Sequence, residues 1–203
     1  MNIDRWTALM TSLGLPASPA TYTQLVEAYR EPHRHYHTTR HIEDCFTKLD
    51  QLRALAVRPE EIELALWFHD GVYLPYKSGN EEKSAEWAAS FLGEAGASGK
   101  LIARIRELIL ATRHDAIAND HDTAILIDVD LSILGADRER YDAFEKDVRK
   151  EYRWVPRSLY RRERRRILAS FLGRERIFMT DGFFERYEAQ ARGNLDRAIF
   201  DLS

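Results

Sequence analysis

The chain of 203 residues has a single cysteine, Cys45, which excludes an internal disulfide and is typical of a reducing compartment. No apolar run approaches the roughly 20 residues that a bilayer-spanning helix needs. The amino terminus also lacks the basic stretch and apolar segment of a signal peptide. The formal net charge is only −3, which gives no overall attraction to nucleic acid or anionic membranes. We therefore expect a soluble cytoplasmic protein with neither as a partner.

Glycine and proline are scarce, with 10 and 6 residues, and apolar residues recur mostly three, four or seven positions apart. This spacing is typical of amphipathic helices. The one ambiguous run, 124–127, lies on a helical stripe that continues to Leu134. With 44% hydrophobic residues the chain is long enough for one sizeable core. The sequence therefore predicts one all-α domain, a single-domain helical bundle over residues 1–203. The predicted helices cover 3–13, 19–29, 38 or 39 through 52, 59–70, 81–92, 100–113, 123–134, 138–152, 157–172 and 182–195.

The most informative motif is the pair His69-Asp70, at the end of the predicted helix that begins at Pro59. Ile62, Leu66 and His69 fall on one helical stripe, so the imidazole is expected to face the core. A buried imidazole followed by a carboxylate is costly unless something compensates for it, and a bound metal ion does so.

Two further polar residues lie on apolar stripes, His41 with Cys45 and Asp130 with Ile127. Together with the His-Asp pair, four polar groups from three helices are expected to face inward. Two imidazoles and two carboxylates suit manganese, iron, zinc or magnesium. Asp128 lies on a different face from Asp130, so one of these two is expected to be a ligand and the other to support it or to be exposed.

The alternative is a purely structural role for each group. A single inward histidine is more often a satisfied core residue than a ligand, and Arg40 or Arg113 could supply a simple ion pair to an inward aspartate. Carboxylates are rarely buried without a partner, and four such groups taken together favour the metal.

The order His41, His69-Asp70, Asp130 resembles that of the HD superfamily of metal-dependent phosphohydrolases. The chain is similar, over about residues 6–192, to a bacterial branch of predicted metal-dependent HD phosphohydrolases without an assigned substrate. The resemblance implies a bundle of the HD-domain type, with His41, His69, Asp70 and Asp130 as metal ligands. The flanking segments that carry it are Arg-His-Tyr-His-Thr-Thr-Arg-His, Phe-His-Asp-Gly-Val-Tyr, Asn-Glu-Glu-Lys-Ser-Ala and Asp-Val-Asp-Leu-Ser-Ile-Leu-Gly.

Some members of the superfamily hold two metals, with an extra histidine after the His-Asp loop and others on the following helix. Here Glu81 or Glu82 occupies the first of these positions, and His114 fits the later one. The resemblance therefore implies one or two divalent ions per chain, of manganese, magnesium, iron, cobalt, nickel or zinc. Alternatively, Glu81 and Glu82 form a charged first turn that the helix dipole favours, and His114 is exposed or caps a helix end.

The activity that the resemblance implies is hydrolysis of a phosphate ester in a nucleotide or another small metabolite, by a metal-activated water. Asp70 is expected to bind and orient this water. Glu81, Glu82 or His114 is expected to assist proton transfer or to complete a second metal site. Two alternatives stay open, namely a di-iron centre that activates oxygen and a non-catalytic nucleotide-binding sensor. The sequence gives no signal for the oligomeric state.

Residues 161–166, Arg-Arg-Glu-Arg-Arg-Arg, form a local basic cluster. No interleaved aromatic residues point to nucleic acid, so a solvated exterior face is expected. Arg164 shares a stripe with Tyr160 and Ile167, and is expected to point inward and meet a phosphate or a carboxylate. Either Arg164 or Arg40 is expected to neutralise the substrate.

Overall fold

A computed structural model describes residues 1–114 and 118–203. These two ranges contain ten α-helices, two short 3-10 helices and no strand, which confirms the predicted all-α fold class. Within them no helix is long and apolar enough to cross a membrane. The α-helices are α1 Ile3–Ser12, α2 Pro19–Ala28, α3 Thr39–Leu52, α4 Pro59–Phe68, α5 Asn80–Glu94, α6 Gly99–Ala111, α7 His121–Leu131, α8 Arg138–Glu151, α9 Arg157–Leu172 and α10 Asp181–Asp201.

Most of the predicted bounds agree with the structure to within one or two residues, but two helix ends differ more. The helix predicted over 123–134 ends as α-helix at Leu131 and continues as a 3-10 helix over Ser132–Gly135. The last helix was predicted to end at Leu195 and extends to Asp201. Apolar spacing near three or four residues fits both helix types, so it does not locate the change from one to the other.

The chain divides into two compact units, Met1–Val129 and Asp130–Ser203. The division falls inside α7, so Asp130 continues the helix whose residues up to Val129 belong to the first unit. The prediction of one HD-type domain over residues 1–203 stays a prediction.

Helix α4 is the central helix of the first unit. Every residue from Ile62 to Phe68 is buried, and α4 packs against α1, α3, α5 and α6. A helix that is apolar on nearly all sides is stable only when neighbours cover all of it. The ring of Trp67 lies 5.2 Å from that of Trp6 and 5.0 Å from that of Phe46, between centroids. The carboxyl end of α4, where the His-Asp pair follows, is therefore fixed by surrounding helices.

The one charged side chain in this buried stretch is Glu63, which is held by two arginines. Arg5 Nε donates to Glu63 Oε1 at 2.8 Å, and Arg53 Nη1 donates to Glu63 Oε2 at 2.6 Å. Because each carboxylate oxygen accepts a charge-assisted hydrogen bond, the negative charge is compensated where α4 is most covered.

In the second unit, α10 packs against α9 and against the 3-10 helix Ser132–Gly135. The buried side chain of Asn194 joins α10 to this segment, because its Nδ2 donates to Leu134 O at 2.9 Å and to Ala136 O at 2.8 Å. The two elements approach most closely at Gly135. A Cβ atom there would lie 2.5 Å from the Cβ of Tyr187 and 2.9 Å from its carbonyl oxygen.

We expect Gly135→Ala to lower the free energy of unfolding by about 2 kcal/mol, because the added methyl forces α10 away from the 3-10 helix. The matched control is Gly193→Ala, since Gly193 is an exposed position within α10 where an added Cβ meets nothing within 4 Å. This control should raise stability by about 1 kcal/mol through helix propensity. Urea denaturation measures both values, and equal effects of the two variants would contradict the close approach.

Candidate metal centre

Three of the predicted ligands bring their donor atoms together. His41 on α3, His69 directly after α4 and Asp130 near the end of α7 each offer one atom, and these atoms all lie within 4.8 Å of one another. The Nε2 atoms of the two imidazoles are 3.2 Å apart. Both histidines are buried, whereas Asp130 is partly exposed. The arrangement places two nitrogen donors and one carboxylate around a single point that solvent can approach.

Asp70, the fourth predicted ligand, faces the same pair of nitrogens. Its Oδ2 lies 3.1 Å from Nε2 of His69 and 3.7 Å from Nε2 of His41. Burial opposes ionisation of this carboxyl group, but attraction to the imidazoles of His69, His37 and His41 and the hydrogen bond with His69 outweigh it. The pKa of Asp70 therefore lies well below its usual range, and the group is a carboxylate at neutral pH.

The orientation of His69 is set within its own helical turn. Its Nδ1 lies 2.9 Å from the carbonyl oxygen of Leu66, which can only accept, so Nδ1 carries a proton. Nε2 of the same ring faces Asp70 Oδ2 and His41 Nε2, and a proton on it donates to Asp70 when no metal is bound. A cation bound here would take the place of this proton, among two imidazole nitrogens and a carboxylate that can each offer it a lone pair. The donor set therefore fits a divalent cation, with the backbone bond on Nδ1 orienting the ligand.

Helix α3 positions His41 in its first turn, after the extended residue Thr38. His41, Cys45 and Leu49 are all buried on one face, as the stripe predicted. The sulfur of Cys45 lies 3.8 Å from both ring nitrogens of His41 and so packs beside the imidazole one turn along the helix.

The histidine-rich tract before α3, residues 33–37, lies against this centre. The ring centroid of Tyr36 lies 4.9 Å from that of His41, and Tyr36 is buried. His37 stacks on Tyr73 at 4.1 Å and lies edge-on to His41 at 6.0 Å. His33 Nε2 lies 2.7 Å from Tyr73 O, which ties the tract to the loop that follows the His-Asp pair.

Sequence reasoning missed the role of Arg34, whose side chain is buried beneath the turn that follows α4. Its Nη1 donates to Asp70 O at 2.6 Å and to His37 O at 3.3 Å, and its Nη2 donates to Gly71 O at 3.0 Å. Its Nε pairs with Glu31 at 3.0 Å. The last carbonyls of a helix lack partners within it, and this guanidinium supplies partners for the carbonyls just beyond α4. The only sequence signal was an arginine within the histidine-rich tract.

Tyr29 fixes the same turn from the other side. Its hydroxyl donates to Trp67 O at 3.2 Å and accepts from the backbone N–H of Asp70 at 3.3 Å. Burial, together with the nearby charge of Asp70, raises the pKa of Tyr29 well above its usual value, so it remains a neutral donor. Gly71 completes the turn, because a Cβ there would lie 3.0 Å from Phe68 O.

The other residues predicted for proton transfer or a second metal are placed differently. Glu82 pairs with Arg113 at 2.6 Å, and its pKa is lowered by its own backbone N–H and by that arginine. Glu81 lies beside it in the first turn of α5, and His114 follows α6 with a left-handed φ of 57°. Outside 115–117, the structure does not bring Glu81, Glu82 or His114 into the metal-binding group. Their catalytic roles stay predictions.

Three further expectations concern Asp128, Arg40 and Arg164. The sequence left open whether Asp128 or Asp130 is the ligand. In the structure Asp130 joins the donor group, and Asp128 is fully buried. Arg40 is exposed on the first turn of α3. In the second unit, Arg164 makes two bonds to Glu145, at 2.6 and 3.1 Å, so it meets a carboxylate, one of its two expected partners. Its role in neutralising a substrate stays a prediction.

Compared with protein-family models, with curated proteins and with solved structures, the chain matches none. The resemblance to the HD superfamily therefore depends on the motifs alone. The case for a metal centre depends on the positions of His41, His69 and Asp130 in this structure.

Proposed function

We propose that the chain is a metal-dependent phosphohydrolase that cleaves a phosphate ester of a nucleotide or another small metabolite. The observation that carries this proposal is the meeting of His41, His69 and Asp130 donor atoms within 4.8 Å, with Asp70 on the same two nitrogens. These residues would hold the ion. When bound, a divalent cation supplies Lewis acidity and lowers the pKa of a coordinated water, which suits phosphate-ester hydrolysis.

Two features of the protein's own residues support hydrolysis at this centre. Asp70 is ionised, and its side chain is 16% exposed, so it can accept a hydrogen bond from an attacking water without leaving its place beside the imidazoles. The exposed Arg40 lies next to His41 in the first turn of α3 and is the cation we assign to the substrate phosphate. Arg34 is not available for this task, because backbone carbonyls and Glu31 occupy it.

A small phosphorylated substrate, rather than nucleic acid, and a cytoplasmic location are part of the same proposal. Cys45 is buried beside His41 and is the single cysteine of the sequence, so it forms no disulfide within the chain, which is typical of a reducing compartment.

The experiment is elemental analysis of protein purified without added metal, followed by a panel of phosphorylated metabolites. Manganese, cobalt, nickel and magnesium are each tested. We expect one or two equivalents of a divalent metal and phosphate release that a chelator abolishes and added metal restores. Iron with oxygen consumption but no phosphate release would favour a di-iron oxygenase. Nucleotide binding without turnover under every metal would favour a sensor.

A further inference from the structure

A basic groove lies in the second unit, along α9 and the end of α10. It is open to solvent, has a volume of about 530 Å³ and is lined by Arg157, Ser158, Arg161, Arg162, Arg165 and Leu202. Four arginines thus line one concavity, and no aspartate or glutamate is among its lining residues, although Arg162 pairs with Glu163 at 3.1 Å. Concave surfaces with charges of one sign focus the electrostatic field and attract counter-ions. The groove shares no residue with the candidate metal centre.

The arginines of the groove lie on successive turns of α9. Positions 157, 161 and 165 are four residues apart, which aligns them on one helix face at about 6 Å per step. Arg157 and Arg165 make no ion pair with any residue in the described ranges, although both are exposed. The four-residue spacing therefore presents one uncompensated charge at each end of the row.

Arg161, between them, is held in place by the end of α10. Its Nε donates to Leu202 O at 3.2 Å, and its Nη2 donates to Asp201 O at 3.4 Å and to Ser203 O. The bonds to Asp201 O and Leu202 O position this guanidinium without cancelling its charge, because a peptide carbonyl carries no net charge. A fixed cation in the middle of the row loses less side-chain freedom on binding an anion than a mobile one does.

We propose that this groove binds a small molecule that carries a chain of two or more phosphates. Guanidinium groups pair with phosphate oxygens through two parallel hydrogen bonds, and a row of such groups matches a row of phosphates. A single phosphate reaches fewer of the arginines at once. The volume of about 530 Å³ lies in the range of small-molecule sites. No aromatic side chain lines the groove, and stacking rings are what single-stranded nucleic acid requires.

The test is isothermal titration calorimetry of the full chain with inorganic tripolyphosphate, after chelation and dialysis remove bound metal. We expect micromolar affinity for tripolyphosphate and at least tenfold weaker binding of orthophosphate. The double variant Arg157→Gln/Arg165→Gln should bind tripolyphosphate at least tenfold more weakly. His69→Ala should bind it as the native chain does, which separates this site from the metal centre.

The matched control is Arg106→Gln/Arg138→Gln, which removes the same charge at two exposed positions outside the groove. It should bind tripolyphosphate with native affinity. Three results would overturn the proposal. These are no binding by the native chain, equal losses in the two double variants, and tighter binding of a single-stranded oligonucleotide than of tripolyphosphate through the same arginines. Thermal denaturation verifies that each variant is folded.

Discussion

We expect His69→Ala to abolish metal binding and to lower kcat/KM for phosphate-ester hydrolysis on the order of 10³-fold or more. Partners that merely orient a metal ligand already contribute 10- to 100-fold, so loss of a ligand itself should exceed that. His69 offers one of the three donor atoms that meet within 4.8 Å, and its Nε2 also faces Asp70. Elemental analysis and steady-state kinetics under the preferred metal measure the two losses.

The matched control for this variant is His121→Ala, since His121 is an exposed histidine at the start of α7 and is not part of the donor group. It should retain native metal content and turnover. Far-UV circular dichroism should show that both variants keep their helices. Native activity in His69→Ala would refute the phosphohydrolase proposal at this centre.

Arg34→Met is expected to lower the free energy of unfolding by about 3 kcal/mol and to weaken metal binding by about 10- to 100-fold. Methionine retains most of the side-chain volume but donates no hydrogen bond. The carbonyls of Asp70 and Gly71 then lose the guanidinium donors at 2.6 and 3.0 Å, in a place from which water is largely excluded. Urea denaturation and competition with a metal indicator measure the two effects.

Arg30→Met is the control for this change, because Arg30 is exposed in the same segment of chain. Its effect on stability should be within about 0.5 kcal/mol. Arg34→Lys should be intermediate, since one ammonium group does not replace a planar fork that reaches several carbonyls. Equal free energies of unfolding for Arg34→Met and Arg30→Met would contradict the claim that Arg34 stabilises the turn after α4.

The sequence predicted the helices and the inward direction of the site's histidines, because both follow from spacing along one helix. His41 lies on the stripe of Cys45, and His69 continues that of Leu66, and all four are buried. Such regular spacing is a local property, so a single chain reveals it.

Contacts between segments were not predictable in the same way. Arg34 bonds to backbone carbonyls, and every residue has a carbonyl, so side-chain pattern does not indicate which ones lack partners. Arg164 was expected to turn inward, but spacing within α9 does not specify that Glu145 on α8 lies opposite. The pairing of Glu82 with Arg113 likewise depends on how α5 packs against α6.

The hydrogen bond from His69 Nδ1 to Leu66 O has a consequence for the kinetics of metal capture. Its donor and acceptor belong to one turn at the end of the most enclosed helix, so the ring is immobilised before any ion arrives. Association then needs no slow rearrangement of this ligand, and the site is preorganised. An ion bound here would meet an imidazole whose rotational entropy was already lost during folding.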